Sequence, residues 1–304
     1  MIVSVSVDLD GLGSYAAIHG LDARSLPERA LQAVPVVALG RLCEVFSSLR
    51  LRATFFAIGG ELDVPGSARA LRGAADAGHE IGSHSHAHDH ALSRWTAADI
   101  DGDLARAERA LEQAVGKPPR GFRAPGYTLS PALLSVVRAR GYLYDSSLLP
   151  SPPYYAAKAA ALALHALRGR RSRSILGGTG QLFARRGPHW REGVRELPIA
   201  TLPVLRAPVI GTVVLAAGED VAGWLARAAR AGGHVNLELH GIDALDVSDA
   251  IPALGRVQPG LRLAAAEKLR RLRALLERLL STGEPLTLEE AAVRLLPRPA
   301  SREP

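Results

Sequence analysis

Val3, Val5 and Val7 alternate with Ser4 and Ser6 and run into Asp8. That period of two predicts a strand over residues 2–7 with a polar tip. Residues 35–50 carry apolar positions at helical spacing, and ATFFAIG at 53–59 follows as a second buried strand closed by a glycine pair. A helix at about 65–77 leads into HEIGSH at 79–84, a short third strand. Thr96, three places before Asp99, begins a capping-box-like start for a helix over 97–115, and Ser130-Pro131 starts the next one. YLYD at 142–145, RELPIA at 195–200 and VNLELH at 235–240 are further strands. Helices are predicted near 219–231 and 262–280, then PLTL and a last helix capped by Thr287 and Glu290.

Strands and helices therefore alternate, which predicts an α/β fold with a parallel sheet, doubly wound or closed as a barrel. In a parallel barrel chemistry collects at the C-terminal strand ends. Those ends hold Asp8 and Asp10, the histidines from 84, Arg123, Asp145 and His240. One stretch breaks the alternation. Residues 150–194 join an alanine-rich apolar helix to Arg168, Arg170, Arg171 and Arg173, then Arg185 and Arg186. It reads as an insertion on the catalytic face of a single domain over 1–298, with 299–304 a disordered tail. Either it is a solvated surface insertion, or its arginines form a platform for an anionic or lipid-linked substrate and touch a membrane surface.

Composition narrows the classes. The chain has 304 residues, 47% of them apolar, enough for a sizeable core. The single cysteine, Cys43, excludes an internal disulfide and is expected as a buried helical thiol. The net charge of +7 favours anionic partners. No zinc-finger spacing or RNA-binding aromatic motif accompanies it, so no nucleic-acid partner is expected. No run of about 18 apolar residues predicts a membrane span. No basic stretch precedes an apolar one at the start, so no signal peptide is predicted and the cytoplasm is the expected location.

SHSHAHDH at 83–90 is the strongest local signal. Histidines four apart on a helical turn can face one cation, and both His84/His88 and His86/His90 meet that spacing. A third, carboxylate ligand is needed, and Asp8 and Asp10 share one face of a strand. One could bind metal while the other takes a proton from bound water. His240 ends a strand and is placed to act as a general acid. Arg123 would keep a neighbouring carboxylate ionised, and Asp145 would orient the imidazole.

Together these motifs resemble the polysaccharide deacetylases, carbohydrate esterase family 4, whose domain is also called the NodB homology domain. The resemblance rests on Ser-Val-Asp-Leu-Asp at 6–10, ATFFAIGG at 53–60, AGHEIGSHSHAH at 77–88, Arg-Ala-Pro-Gly-Tyr at 123–127, Tyr-Asp-Ser-Ser at 144–147 and Leu-Glu-Leu-His at 237–240. It implies a distorted (β/α)7 barrel and a divalent cation, commonly zinc, held by His84, His88 and Asp10. It also implies Asp8 as base and His240 as acid, with a backbone N–H near Tyr127 for the oxyanion. Tyr127, Ser85 and Leu239 are the implied substrate contacts. The implied reaction is hydrolysis of an N-acyl group, acetyl or formyl, on an amino sugar. A leucine between the two aspartates departs from the family pattern and resembles the branch of lipid-linked aminoarabinose deformylases, which leaves the base and ligand roles interchangeable. The long loop at 11–33 is a second departure, placed to cover the site. The rival readings are a metal-free cyclic-amide hydrolase and a barrel that binds glycan without cleaving it.

Overall fold

A computed structural model describes residues 1–23, 26–167, 169, 172–217 and 233–298. The helix expected near 219–231, Arg168, Arg170, Arg171 and the tail at 299–304 lie outside the described residues.

The described strands are β1 (Ile2–Asp8), β2 (Thr54–Ala57), β3 (Glu80–Ser83), β4 (Gly121–Phe122), β5 (Tyr144–Asp145), β6 (His189–Arg191), β7 (Val194–Glu196), β8 (His234–His240) and β9 (Glu284–Pro285). They form one sheet in the order β6-β7-β5-β4-β3-β2-β1-β8, with β9 on the first residues of β1. Every pairing is parallel except β6 with β7. The sheet curls, and the chain after β7 bridges its two flanks. Ile199 N–H donates to Leu148 O at 2.9 Å, and Ala200 N–H donates to Asn236 O at 3.0 Å. The architecture is the distorted (β/α)7 type.

β1 is central and buried along its whole length. Val3, Val5 and Val7 pack into the main apolar core beneath the outer helices. Ser4 and Ser6 face the interior, where the Ser6 hydroxyl donates to Asn236 Oδ1 at 2.8 Å. A polar inner face is tolerated because each group there finds a partner. Register does the rest. Asp8 sits opposite His240 on one side and Phe56 on the other, so the polar tips of β1 and β8 lie side by side.

Helix Glu28–Ser48 buries Val34, Leu39, Leu42 and Phe46 against the back of β1 and β8. It is long and apolar enough to cross a membrane by length and composition, a feature not anticipated from the sequence, yet its apolar face is core. Pro35 lies in a π-helical stretch, Ala33–Ala38, where the missing N–H and the bulky ring are absorbed by the wider turn. The helix packs close to the sheet because residue 241 is glycine, where a Cβ would lie 2.4 Å from Val34 Cγ1. Cys43, on this helix, is half-buried rather than fully buried.

The caps at Thr96, Ser130 and Thr287 form as expected, each side chain accepting the N–H three residues on. Strand β6 and the helices Leu12–Ile18, Gly211–Ala217 and Pro252–Val257 were not visible in the sequence. Each is short, with packing rather than periodicity holding it in place.

Candidate metal and active site

β3 ends at Ser83, and the histidine segment that follows is a loop, not the helical turn expected from the spacing. Ser85 and His88 both take positive φ, 66° and 49°. The loop holds this conformation through buried polar contacts. The Asp103 carboxylate accepts from His86 N–H at 2.8 Å and Ala87 N–H at 3.0 Å, and the Ser85 hydroxyl accepts from His88 N–H at 3.1 Å. Its other side lies on Gly59 and Gly60, whose N–H groups donate to Ser85 O and His86 O at 3.0 Å. A Cβ at Gly60 would meet His86 O at 2.8 Å, so only glycine allows that approach. His86 is thereby turned onto the glycines, and the pair left facing the strand tips is His84 and His88.

Asp10 meets that pair. Its Oδ1 lies 3.2 Å from His84 Nε2 and 3.1 Å from His88 Nε2. Asp10 Oδ1 and His88 Nε2 are buried, and neither finds a hydrogen-bond partner outside this cluster. The three ligand atoms lie within 4.8 Å of one another. Tetrahedral zinc with bonds of about 2.0–2.1 Å separates its ligand atoms by roughly 3.3 Å, so the O–N spacings suit such an ion. The outer ring nitrogens are oriented as metal ligands require. His84 Nδ1 pairs with Arg123 O at 2.8 Å, and His88 Nδ1 with the Ser14 hydroxyl at 3.0 Å. Burial opposes charge on Asp10, but His88 and His84 overcome it and hold the carboxyl well below its usual range. Burial likewise lowers His84, yet Asp8 and Asp10 more than offset this and pull the imidazole up. The cluster attracts positive charge, and a divalent cation can take the place of those imidazole protons.

Asp8 stands apart from the triad, its Oδ2 3.8 Å from His84 Nε2. Its Oδ1 accepts from Arg123 Nη1 at 2.6 Å. His240 Nε2 lies 4.0 Å from Asp10 Oδ2 and 3.3 Å from the Tyr127 hydroxyl. These groups open into a cavity of about 340 Å³, roofed by the helices Leu12–Ile18 and Pro152–Leu167. The histidine segment thus shares its cavity with a helix of the 150–194 stretch.

The polysaccharide deacetylase model matches residues 34–144. The peptidoglycan deacetylase of Helicobacter pylori is 30% identical over 161 residues, covering 51% of this chain and 53% of that protein. A peptidoglycan deacetylase-like protein of Gibberella zeae is 29% identical over 153 residues, covering 48% of this chain and 43% of the other. The chain spans about half the length of these curated relatives. A solved structure from Mycobacterium smegmatis assigned to the polysaccharide deacetylases superposes with a TM-score of 0.63 at 18% identity, covering 96% of this chain and 89% of that one. Residues 34–144 are thus similar in sequence to the polysaccharide deacetylases. The matched segment includes β2, β3, the histidine loop and Arg123, while β1 and β8 lie outside it.

Several expected contacts in the site differ from the sequence reading. Asp145 does not reach His240. Its Oδ1 accepts from the Ser147 hydroxyl at 2.5 Å, and that hydroxyl accepts from Ala124 N–H at 2.7 Å, so Asp145 braces the loop after Arg123. Asp145 also faces Glu196, and burial followed by repulsion from Asp145 pushes Glu196 well above the usual carboxyl range. The group on His240 Nδ1 is Glu238, at 2.9 Å. Burial lowers His240, but Glu238, then Asp10 and Asp8, reverse this and hold it well above its ordinary value. Glu238 was legible only as a buried strand acid two residues before the histidine, a spacing that puts both side chains on one face.

Ser85 shapes the loop, and Leu239 packs in the apolar core, so neither lines the cavity as expected of a substrate contact. Tyr127 does line the cavity, with its phenol. Its N–H is already donated to Ala124 O at 3.1 Å and is not free for an oxyanion. Removing the Asp103 carboxylate strands two amide donors beneath the histidine loop. Asp103→Ala should therefore destabilise the domain by about 1–3 kcal/mol in urea unfolding. A loss under about 0.5 kcal/mol would show that the glycine contacts alone hold the loop.

Proposed function

We propose that this chain is a metal-dependent hydrolase that removes an N-acyl group, acetyl or formyl, from an amino sugar. The observation that carries the reading is the convergence of Asp10, His84 and His88, with buried donor atoms that lack partners outside the cluster, at the tips of β1 and β3. A divalent cation bound there would polarise the acyl carbonyl and acidify its water. Asp8 is the base: Arg123 fixes one carboxylate oxygen and leaves the other free to take the proton of the attacking water. The Tyr127 phenol is kept protonated, since burial and then Glu238 and Asp8 push it well above its usual value, so it can donate to the acyl oxygen. His240, fixed by Glu238 at Nδ1, presents Nε2 to the cavity and protonates the leaving amine.

The wild-type protein should hold about one equivalent of zinc or a similar cation by elemental analysis, and His84→Ala/His88→Ala should hold none. No metal in either, even after loading, would remove the metal-dependent reading and favour the metal-free or glycan-binding alternatives.

The acid assignment has its own test. His240→Ala should lower kcat on an acetylated amino sugar by roughly a hundredfold or more, and Glu238→Gln by roughly tenfold to a hundredfold at unchanged zinc content. Near-normal kcat in the His240 variant would mean another group protonates the amine.

A second observation bears on how substrate is reached. Leu167 and Phe183 are 85% and 74% exposed, with Leu164 and Leu176 also exposed, in a stretch that carries Arg173, Arg185 and Arg186. Apolar side chains set among arginines favour peripheral contact with anionic lipid and access to a lipid-linked substrate. Replacing Leu164, Leu167 and Phe183 with Ser should abolish co-sedimentation with vesicles containing anionic lipid; unchanged binding would rule the contact out.

A further inference from the structure

Helix Pro152–Leu167 lays one charged side chain, Lys158, into the cavity that holds Asp8, Asp10, His84 and His240. Its surroundings give the ammonium little. Nζ donates to Gly126 O at 3.2 Å and lies 5.8 Å from the centre of the Tyr154 ring. Among the described residues no carboxylate pairs with it. Desolvation without a counter-charge pushes its ammonium down to about 8.

The other charged groups described in the cavity each face an opposite charge. Arg123 is paired with Asp8, Glu238 with His240, and Asp10 with the two histidines or the cation that would replace their protons. Among the described residues of the cavity, Lys158 is the charged group with no opposite charge beside it. The walls next to it include Tyr154, Ala161 and Leu162, whose apolar surface strengthens any ion pair formed there. Its position also counts. Its Nζ is held on the Gly126 carbonyl, and Gly126, Tyr127 and His240 all line the same cavity.

We propose that Lys158 is a specificity-determining residue whose ammonium binds an anionic group, carboxylate or phosphate, carried by the amino sugar. This rests on the amino-sugar reading above. An anion there supplies the counter-charge that Lys158 lacks, a charge-assisted contact that a neutral sugar cannot make.

Three probes separate the possibilities: N-acetylglucosamine, its 6-phosphate, and N-acetylmuramic acid, each with wild type, Lys158→Met and Lys158→Arg. Lys158→Met keeps the alkyl stem and should raise KM for one or both anionic sugars roughly tenfold to a hundredfold, leaving kcat and the neutral sugar unchanged. Lys158→Arg should retain most of the preference. Loss confined to the phosphate or to the carboxylate sugar identifies the source of the anion. Equal losses on all three sugars, or none on any, would overturn the proposal. Calorimetric binding of the same sugars decides the point without turnover. Anionic sugars that bind wild type no tighter than the neutral one would sink the lysine's role, whereas tight anion binding lost in Lys158→Met, with no hydrolysis by wild type, would sink the hydrolase reading alone.

Discussion

The buried ion pair between Arg123 and Asp8 organises the interior of the barrel. Both side chains are almost fully buried, so neither charge is compensated by water. Such a pair is tolerated only when the remaining donors and acceptors are also satisfied. Arg123 meets that demand by donating to Ser146 O at 2.8 Å, the Ser146 hydroxyl at 2.9 Å and the Ser6 hydroxyl at 3.0 Å, with its guanidinium 4.3 Å above the Phe56 ring. Asn236 extends the network from β8 to the same Ser146 hydroxyl at 3.0 Å. Four strands and the chain after β5 are thus tied through one guanidinium. The fixed Asp8 carboxylate is a consequence of that network as much as a part of the site.

Around this centre the site is assembled from elements that do not touch in sequence. β1 supplies Asp8 and leads into Asp10, β3 leads into the histidines, and β8 ends in His240. Parallel pairing in register brings the three tips to one level. The histidine loop gains its shape from groups on other elements, Asp103 on helix Ala97–Val115 and the glycines after β2. The cavity walls come from two helices that follow or interrupt the barrel pattern. A rigid sheet with variable loops above it is the arrangement that lets a parallel barrel keep its chemistry while its specificity changes.

Two carboxyl groups show how burial divides labour among acids of similar sequence context. Asp145 and Glu238 both stand near strand ends and both look eligible to orient a histidine. Asp145 faces Glu196 across β5 and β7, where burial pushes both carboxyls above their ordinary range and they serve structure. Glu238 faces an imidazole along its own strand, where charge is stabilised and can be used. Registration of β5 against β7, not residue type, makes the difference.

The sequence by itself determined the alternation of strands and helices, the caps at Thr96, Ser130 and Thr287, and the collection of reactive side chains at strand tips. Those features depend on local periodicity and on side chains meeting their own backbone within three residues, which a single chain displays directly. The tertiary structure alone decided that the histidine loop is not helical, that Glu238 rather than Asp145 serves His240, and that Lys158 enters the cavity, and it showed why His84 and His88, rather than His86, face the carboxylates. Each of these depends on contacts between residues far apart in the chain, such as Asp103 with the His86 amide or Gly60 with the His86 carbonyl. No local pattern encodes such contacts, because they exist only once parallel register and helix packing have fixed the distances.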